Sequence, residues 1–225
     1  VPPGVKRRVL EALEKVTASC ATSLLSVSRS LGDLVFDMGL SGGRAVDVVG
    51  SGSSKGVDLA RFQGVDDARI EEVKRQIGFD PDLPSVCFVG RVSADKGLDD
   101  LIEASDIVLA SGTRHQLVIA GGWEDQELAD SLLGQSTAER PILMPGNVTD
   151  VAALMHAADI HCLPTKREGF PNVVLEASAA GTPTVTTNAT GAIDSVVDGK
   201  TGLIAEVGDT QSLAHALSRL LADAD

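Results

Sequence analysis

Two glutamates bracket a mostly apolar segment in the last third of the sequence, REGFPNVVLEA. Glu168 and Glu176 are eight positions apart, and Gly-Phe-Pro-Asn follows the first of them. Carboxylates accept hydrogen bonds from hydroxyl groups and do not bind phosphate. Pro171 suits the first position of a helix, whose first-turn amides would form an anion site. The segment therefore predicts two hydroxyl acceptors flanking an anion, as a diphosphate with a sugar at each end requires.

Two basic residues would supply positive charge to the same site. Arg91 follows the apolar strand SVCFVG, and Lys96 stands at the mouth of the next helix. Ligands of an open α/β sheet bind outside the carboxyl ends of its strands, where these loops are expected to converge. A simpler interpretation stays open for each residue. Glu168 and Glu176 could be solvated, and the two cations could instead pair with Asp95, Asp99 or Asp100.

Short apolar strands alternate with helical segments in most of the chain. From about Ser85 onward the strands are SVCFVG, QLVIA, ILMPG, DIHCLP, TPTVTT and GLIAE. Strands that are apolar without alternation are typical of strands buried on both faces of a parallel sheet. The pattern predicts an α/β fold, a Rossmann-like doubly wound parallel sheet with helices on both faces. We assign residues 51–225 to this domain.

The first 50 residues have the same character but contain only two predicted strands, TSLLSVS and AVDVVG. Two strands do not make a sheet with its own core. We therefore interpret residues 1–50 as the end of a preceding domain and its connector. The stretch from Gly50 to Phe62 is rich in Gly and Ser, which predicts a linker or a long loop.

The composition excludes several functional classes. The formal net charge is −13, so a general binder of nucleic acid or anionic membranes would repel its partner over most of the surface. Cys20, Cys87 and Cys162 lack the spacing of a zinc site, and the last two are expected to be buried free thiols. The four histidines lack metal-ligand spacing, and the sequence contains no dinucleotide fingerprint or P-loop.

Four motifs together resemble the retaining glycosyltransferases of family 4, and they occur in the same order: FVGRVSADKGLDDLIEA, HAADIHCLPTKREGFP, REGFPNVVLEASAAGTPTVTT and VVDGKTGLIAEVGD. GSSKGVDLARF resembles the segment that enters the second domain of these enzymes. The match covers residues 45–225. Members have the GT-B fold, in which the active site lies between two Rossmann-like domains. The resemblance implies that this chain contains the C-terminal domain, which binds the nucleotide sugar.

The resemblance also implies roles for individual residues. Glu168, Arg91 and Lys96 would be catalytic: the two cations contact the diphosphate, and Glu168 contacts the donor sugar. Glu176 would hold the ribose. The remaining donor contacts would come from the base loop at Asn147 and Val148 and from the backbone of Gly169, Phe170, Pro171, Asn172 and Val173. The diphosphate would need no metal or other cofactor, because positive charge and helix amides stabilise it.

The implied activity is retaining transfer from a nucleotide diphosphate sugar, with a UDP-sugar as the expected donor. The acceptor would be a glycan or a lipid-linked glycan in the synthesis of bacterial cell-surface polysaccharide. The enzyme would work in the cytoplasm or at the inner face of the membrane, with an N-terminal domain as partner and without nucleic acid. Two alternatives stay open, a UDP-sugar epimerase of the same fold and a noncatalytic nucleotide-sugar-binding module.

Overall fold

The computed structural model describes residues 4–53 and 55–222. Residues 4–53, called the N-terminal unit below, contain α1 (Val5–Cys20), β1 (Leu25–Ser26), α2 (Arg29–Asp37) and β2 (Asp47–Val48). The strands β1 and β2 pair in parallel and are much shorter than the predicted TSLLSVS and AVDVVG. Within the described residues each of them pairs only with the other, which leaves little hydrogen bonding to extend it.

The expected linker from Gly50 to Phe62 is wrong in its second half. A short helix, α3 (Leu59–Gln63), begins there, and the Asp58 carboxylate accepts a hydrogen bond from the Ala60 amide at 3.1 Å. Phe62 is only 2% exposed and packs against Ala152, Met155 and Ala177. Burial of this single aromatic ring explains the helix, since five residues are too few to form one in isolation.

The rest of the chain alternates helices and strands as predicted. The helices are α4 (Asp67–Ile77), α5 (Leu98–Ala110), α6 (Gln126–Leu133), α7 (Val151–Ala157), α8 (Asn172–Ala180) and α9 (Thr210–Ala222). The strands are β3 (Ser85–Val89), β4 (Gln116–Ala120), β5 (Ile142–Gly146), β6 (Ile160–Leu163), β7 (Thr184–Thr187) and β8 (Gly202–Ala205).

These six strands form one sheet in the order β5-β4-β3-β6-β7-β8, and every neighbouring pair is parallel. One face packs on α5, α6 and α9, where Phe88, Leu132 and Leu217 are buried. The other face packs on α4 and α7, around Cys87 and Leu154. The predicted Rossmann-like sheet is therefore confirmed. Its strand order reverses between β3 and β6, and this reversal opens a crevice at their carboxyl ends.

Helix α8 begins one residue later than predicted. Pro171 does not occupy the first helical position but precedes it, with φ −79° and an extended ψ of 102°. The chain turns at this residue from the preceding loop into the helix. Gly181 ends α8 in the left-handed conformation at φ 82°, as its position predicted. Within residues 4–53 and 55–222, no helix is long and apolar enough to span a bilayer.

Candidate active site

The loops that follow β3 and β6 meet in an ion pair at the crevice. Lys96 Nζ lies 2.5 Å from Glu168 Oε1, although the two residues are 72 positions apart. Their side chains are only 12% and 15% exposed. Lys96 thus pairs with a site carboxylate and not with Asp95, Asp99 or Asp100. The pair places a cation beside a hydroxyl acceptor within a largely dehydrated crevice.

Close packing between the same two loops holds Lys96 in place. Lys96 ends a single 3₁₀ turn, and Gly97 follows it in the left-handed region at φ 69°. A Cβ atom on Gly97 would lie 2.0 Å from the Pro164 carbonyl oxygen, so only glycine fits. The Asp95 carbonyl accepts a hydrogen bond from the Lys166 amide at 3.0 Å. A hydrogen bond from Ser93 lowers the pKa of the Asp95 carboxyl, and Lys96 and Arg167 add to the effect.

Arg91 has a different partner from those the sequence offered. Its Nη1 atom lies 2.6 and 2.7 Å from the two carboxylate oxygens of Glu124, on the loop after β4. Hydrogen bonding to Glu124 raises the pKa of Arg91 further above its usual value. Both side chains are more than half exposed, so the pair is weak and readily exchanged for another anion.

Free amides lie at the start of α8, next to Glu168. Among the described residues, no group accepts a hydrogen bond from the amides of Gly169, Phe170 and Val173. The Asn172 side chain accepts one from the Ser53 hydroxyl at 2.7 Å. Of the three residues with free amides, Val173 lies in the first turn of the nine-residue helix, whose positive end favours an anion.

The predicted ribose and base contacts lie on separate elements. Glu176 is half-buried in the second turn of α8 and has no ion pair or hydrogen bond with any described residue. Asn147 and Val148 follow β5 and line a cavity of about 260 Å³ together with Arg91 and Gly122. The structure therefore supplies an open cavity at the predicted base loop.

A second cavity, of about 770 Å³, lies elsewhere. Ser85 and Gln116, which begin β3 and β4, line it together with Lys74 and Arg75 of α4. It is therefore at the amino ends of the strands, opposite the edge where ligands of parallel sheets bind.

The remaining metal-ligand and nucleophile types are buried or dispersed. Within residues 4–53 and 55–222, no group of three or more His, Cys, Asp or Glu side chains could hold a metal ion. Cys87 and Cys162 are buried free thiols, as predicted, and burial raises the pKa of Cys87 to about 12. Burial also lowers the pKa of His161 to about 3, which keeps this histidine neutral.

The family model of the glycosyl transferases group 1 matches residues 69–225. The chain belongs to this family. It is 34% identical over 221 residues to the capsular polysaccharide biosynthesis glycosyltransferase CapM of Staphylococcus aureus, a match that covers 98% of this chain and 57% of CapM. It is 32% identical over 181 residues to a D-inositol 3-phosphate glycosyltransferase of Corynebacterium urealyticum, covering 76% and 42% of the two chains. The chain thus spans about half the length of these curated relatives.

Solved structures confirm the fold of this group 1 glycosyltransferase chain. HepE of Anabaena, in complex with UDP and glucose, superposes with a TM-score of 0.77 at 22% identity, over 95% of this chain and 58% of HepE. Sucrose-phosphate synthase of Thermosynechococcus elongatus gives a TM-score of 0.77 at 24% identity, over 100% and 55% of the two chains. These enzymes support assignment to the C-terminal domain of the GT-B fold.

Two parts of the candidate site in this glycosyltransferase chain were not predicted from the sequence. Nothing in the sequence distinguishes Glu124, the partner of Arg91, from the many other acidic residues. The turn after β7 was also missed, although the Thr190 carbonyl accepts a hydrogen bond from the Glu168 amide at 2.8 Å. The next residue, Gly191, was a usable signal, because a Cβ atom there would lie 2.4 Å from the Glu168 carbonyl oxygen.

Proposed function

We propose that this crevice binds the donor of a retaining glycosyltransferase, a nucleotide diphosphate sugar, and that the chain is the donor-binding part of that enzyme. The proposal depends on the Lys96–Glu168 pair beside the free amides at the start of α8. A cation and helix amides suit a diphosphate. A carboxylate next to them suits the hydroxyl groups of a sugar. A nucleotide sugar presents both chemistries side by side.

We propose a UDP-sugar as the donor and a glycan or lipid-linked glycan as the acceptor. HepE was solved with UDP and with UDP-glucose, which supports uracil as the base. Starch synthase IV of Arabidopsis was solved with ADP, so the choice of base is part of the test. The name of CapM supports a role in capsular or other cell-surface polysaccharide synthesis.

The residues then divide the work of sugar transfer. As the bond between the sugar C1 and the diphosphate oxygen breaks, negative charge develops on the leaving diphosphate. Once the donor is bound, Lys96, Arg91 and the amides of Gly169 and Val173 stabilise that charge, an electrostatic contribution that is large in many enzymes. The acceptor oxygen bonds to C1, and its proton passes to the leaving diphosphate. In this scheme the diphosphate needs no metal ion.

The other contacts orient the donor. Glu168 accepts hydrogen bonds from hydroxyl groups of the transferred sugar, and Glu176 accepts them from the ribose. Asn147 and Val148 border the cavity for the base. Because Glu124 pairs with Arg91, a bound diphosphate would replace one exposed carboxylate as the partner of Arg91.

Calorimetric titration with UDP and with uridine tests the proposal. The Arg91→Ala/Lys96→Ala variant should bind UDP at least tenfold more weakly, since hydrogen bonds between charged groups contribute about 1.5–3 kcal/mol each. Its affinity for uridine should stay near the wild-type value. The matched control is Lys74→Ala/Arg75→Ala, which removes two cations from the 770 Å³ cavity at the amino ends of the strands and should not affect UDP binding. Equal losses for UDP and uridine, or a loss in the control alone, would refute the proposed diphosphate site.

A transfer assay distinguishes the enzyme from a binding module. The chain joined to the remaining half of its protein should transfer sugar from a UDP-sugar to a glycan or lipid-linked acceptor. UDP binding without transfer from any donor would favour the noncatalytic alternative. Interconversion of the UDP-sugar without an acceptor would favour the epimerase.

A further inference from the structure

Helix α2 of the N-terminal unit is capped by a residue from the far end of the chain. Ser28 stands at the N-cap position but forms no side-chain capping bond, and its buried hydroxyl has no described partner. Instead Asp194 Oδ2 accepts hydrogen bonds from the Ser30 amide at 3.0 Å and from the Ser30 hydroxyl at 2.5 Å. A carboxylate is favoured there, because it meets free amides and the positive end of the helix dipole. These two residues form what we call the Ser30–Asp194 latch.

The latch is directly connected to the backbone of Glu168. The Ser30 hydroxyl accepts a hydrogen bond from the Gly191 amide at 2.7 Å. Gly191 lies at φ 79° against the Glu168 and Gly169 carbonyls, with no space for a Cβ atom. The neighbouring Thr190 carbonyl accepts the Glu168 amide hydrogen bond at 2.8 Å. A continuous path of short contacts therefore runs from α2 through the turn after β7 to the loop that carries Glu168.

The N-terminal unit also holds the other end of that loop. Ser53 adopts a positive φ of 84°, which is costly for a residue other than glycine. Its amide donates to the Val27 carbonyl at 2.7 Å, and its hydroxyl donates to Asn172 Oδ1 at 2.7 Å. Gly52 leaves no space for a side chain between Val27 and the Phe170 ring. The loop from Glu168 to Asn172 is thus fixed at both ends by the same unit.

We propose that Ser30 and Asp194 are positioning residues of the donor site. The latch fixes the turn at Thr190–Gly191 and, through it, the backbone that directs Glu168 toward Lys96. A shift of α2 relative to the sheet is therefore transmitted to the donor loop. The role in sugar binding rests on the function proposed above, whereas the mechanical coupling does not.

Amide hydrogen exchange of the whole chain, followed by mass spectrometry of peptides, tests the coupling without any ligand. Ser30→Ala and Asp194→Ala should accelerate exchange of the Glu168 and Gly191 amides, followed in peptides that contain them, by roughly five- to tenfold, as expected for loss of one hydrogen bond. Ser30→Thr keeps the hydroxyl and should restore slow exchange. The matched control is Asp66→Ala, which removes the equivalent cap of α4, where Asp66 accepts from the Arg69 amide at 2.9 Å. It should accelerate exchange only at the start of α4.

Titration with UDP and UDP-glucose then measures the consequence for binding. Ser30→Ala should weaken the binding of UDP-glucose more than the binding of UDP, because Glu168 is assigned to the sugar. Ser30→Thr should restore the wild-type affinity for UDP-glucose. Unchanged exchange of the Glu168 amide in both alanine variants would overturn the latch, as would an equal increase throughout the chain. Failure of the wild-type chain to bind either nucleotide would instead refute the proposed function, and the exchange data would still decide the coupling.

Discussion

Replacement of Lys96 by methionine should destabilise the domain as well as weaken nucleotide binding. Methionine keeps most of the aliphatic stem and removes the charge. Glu168 would remain as a carboxylate that is 15% exposed and has lost its 2.5 Å partner. The variant therefore measures how much an unpaired Glu168 carboxylate in the crevice lowers the free energy of unfolding.

The exposure of the pair sets the expected magnitude. Removing one partner of a fully buried ion pair costs about 3–5 kcal/mol, whereas exposed pairs contribute about 0–1 kcal/mol. Water still reaches part of both side chains, so we expect a loss of about 2 kcal/mol in the free energy of unfolding. For a domain of this size, that corresponds to a decrease in Tm of roughly 4–8 °C.

Urea unfolding and calorimetry at pH 7 provide the measurement. Lys74→Met is the matched control, because Lys74 lies 3.4 Å from Glu71 on an exposed face and should change stability by less than about 0.5 kcal/mol. Adding Glu168→Gln to Lys96→Met should recover part of the loss, since the amide carries no charge. Equal stability of Lys96→Met and Lys74→Met would show that the Lys96–Glu168 pair does not stabilise the domain.

Three further outcomes are expected. Glu176→Gln should bind UDP roughly tenfold more weakly but bind 2′,3′-dideoxy-UDP like the wild type, and equal UDP affinities would make Glu176 a surface residue. The pKa of His161, about 3 in the folded chain, lies below its ordinary 6.5, so the unfolded chain takes up this proton first as the pH falls. Between pH 7 and pH 5, the free energy of unfolding should decrease by about 2 kcal/mol less for His161→Gln than for the wild type. Urea unfolding at the two pH values measures this difference, and equal decreases would refute it. The chain alone should bind UDP but transfer no sugar, and transfer at the full enzyme's rate would contradict that expectation.

The Rossmann-like sheet could be predicted because its signal is local and repeated. Each buried strand, such as Ser85–Val89, is a continuous apolar run, and each helix that follows has its own boundary residues. The reversal of strand order between β3 and β6 could not be predicted, because the sequence of a single strand does not indicate which strands it pairs with. The short helix α3 escaped prediction because one buried side chain, Phe62, stabilises it.

The site was predictable as a set of residues but not as a set of contacts. Lys96, Glu168 and the start of α8 follow strand ends, and the edge of a parallel sheet brings such positions together. The partners of Arg91 and Ser30 could not be predicted in this way. Glu124 and Asp194 are ordinary acidic residues, and their distances to their partners depend on how whole loops pack.

A crystal structure of the chain with UDP tests the proposed donor site. That site requires the diphosphate to lie within hydrogen-bond distance of Lys96 Nζ and of the amides of Gly169 and Val173, with the ribose at Glu176 and the base beside Asn147. Density for UDP in the cavity lined by Lys74 and Arg75, with an empty crevice at the start of α8, would contradict it.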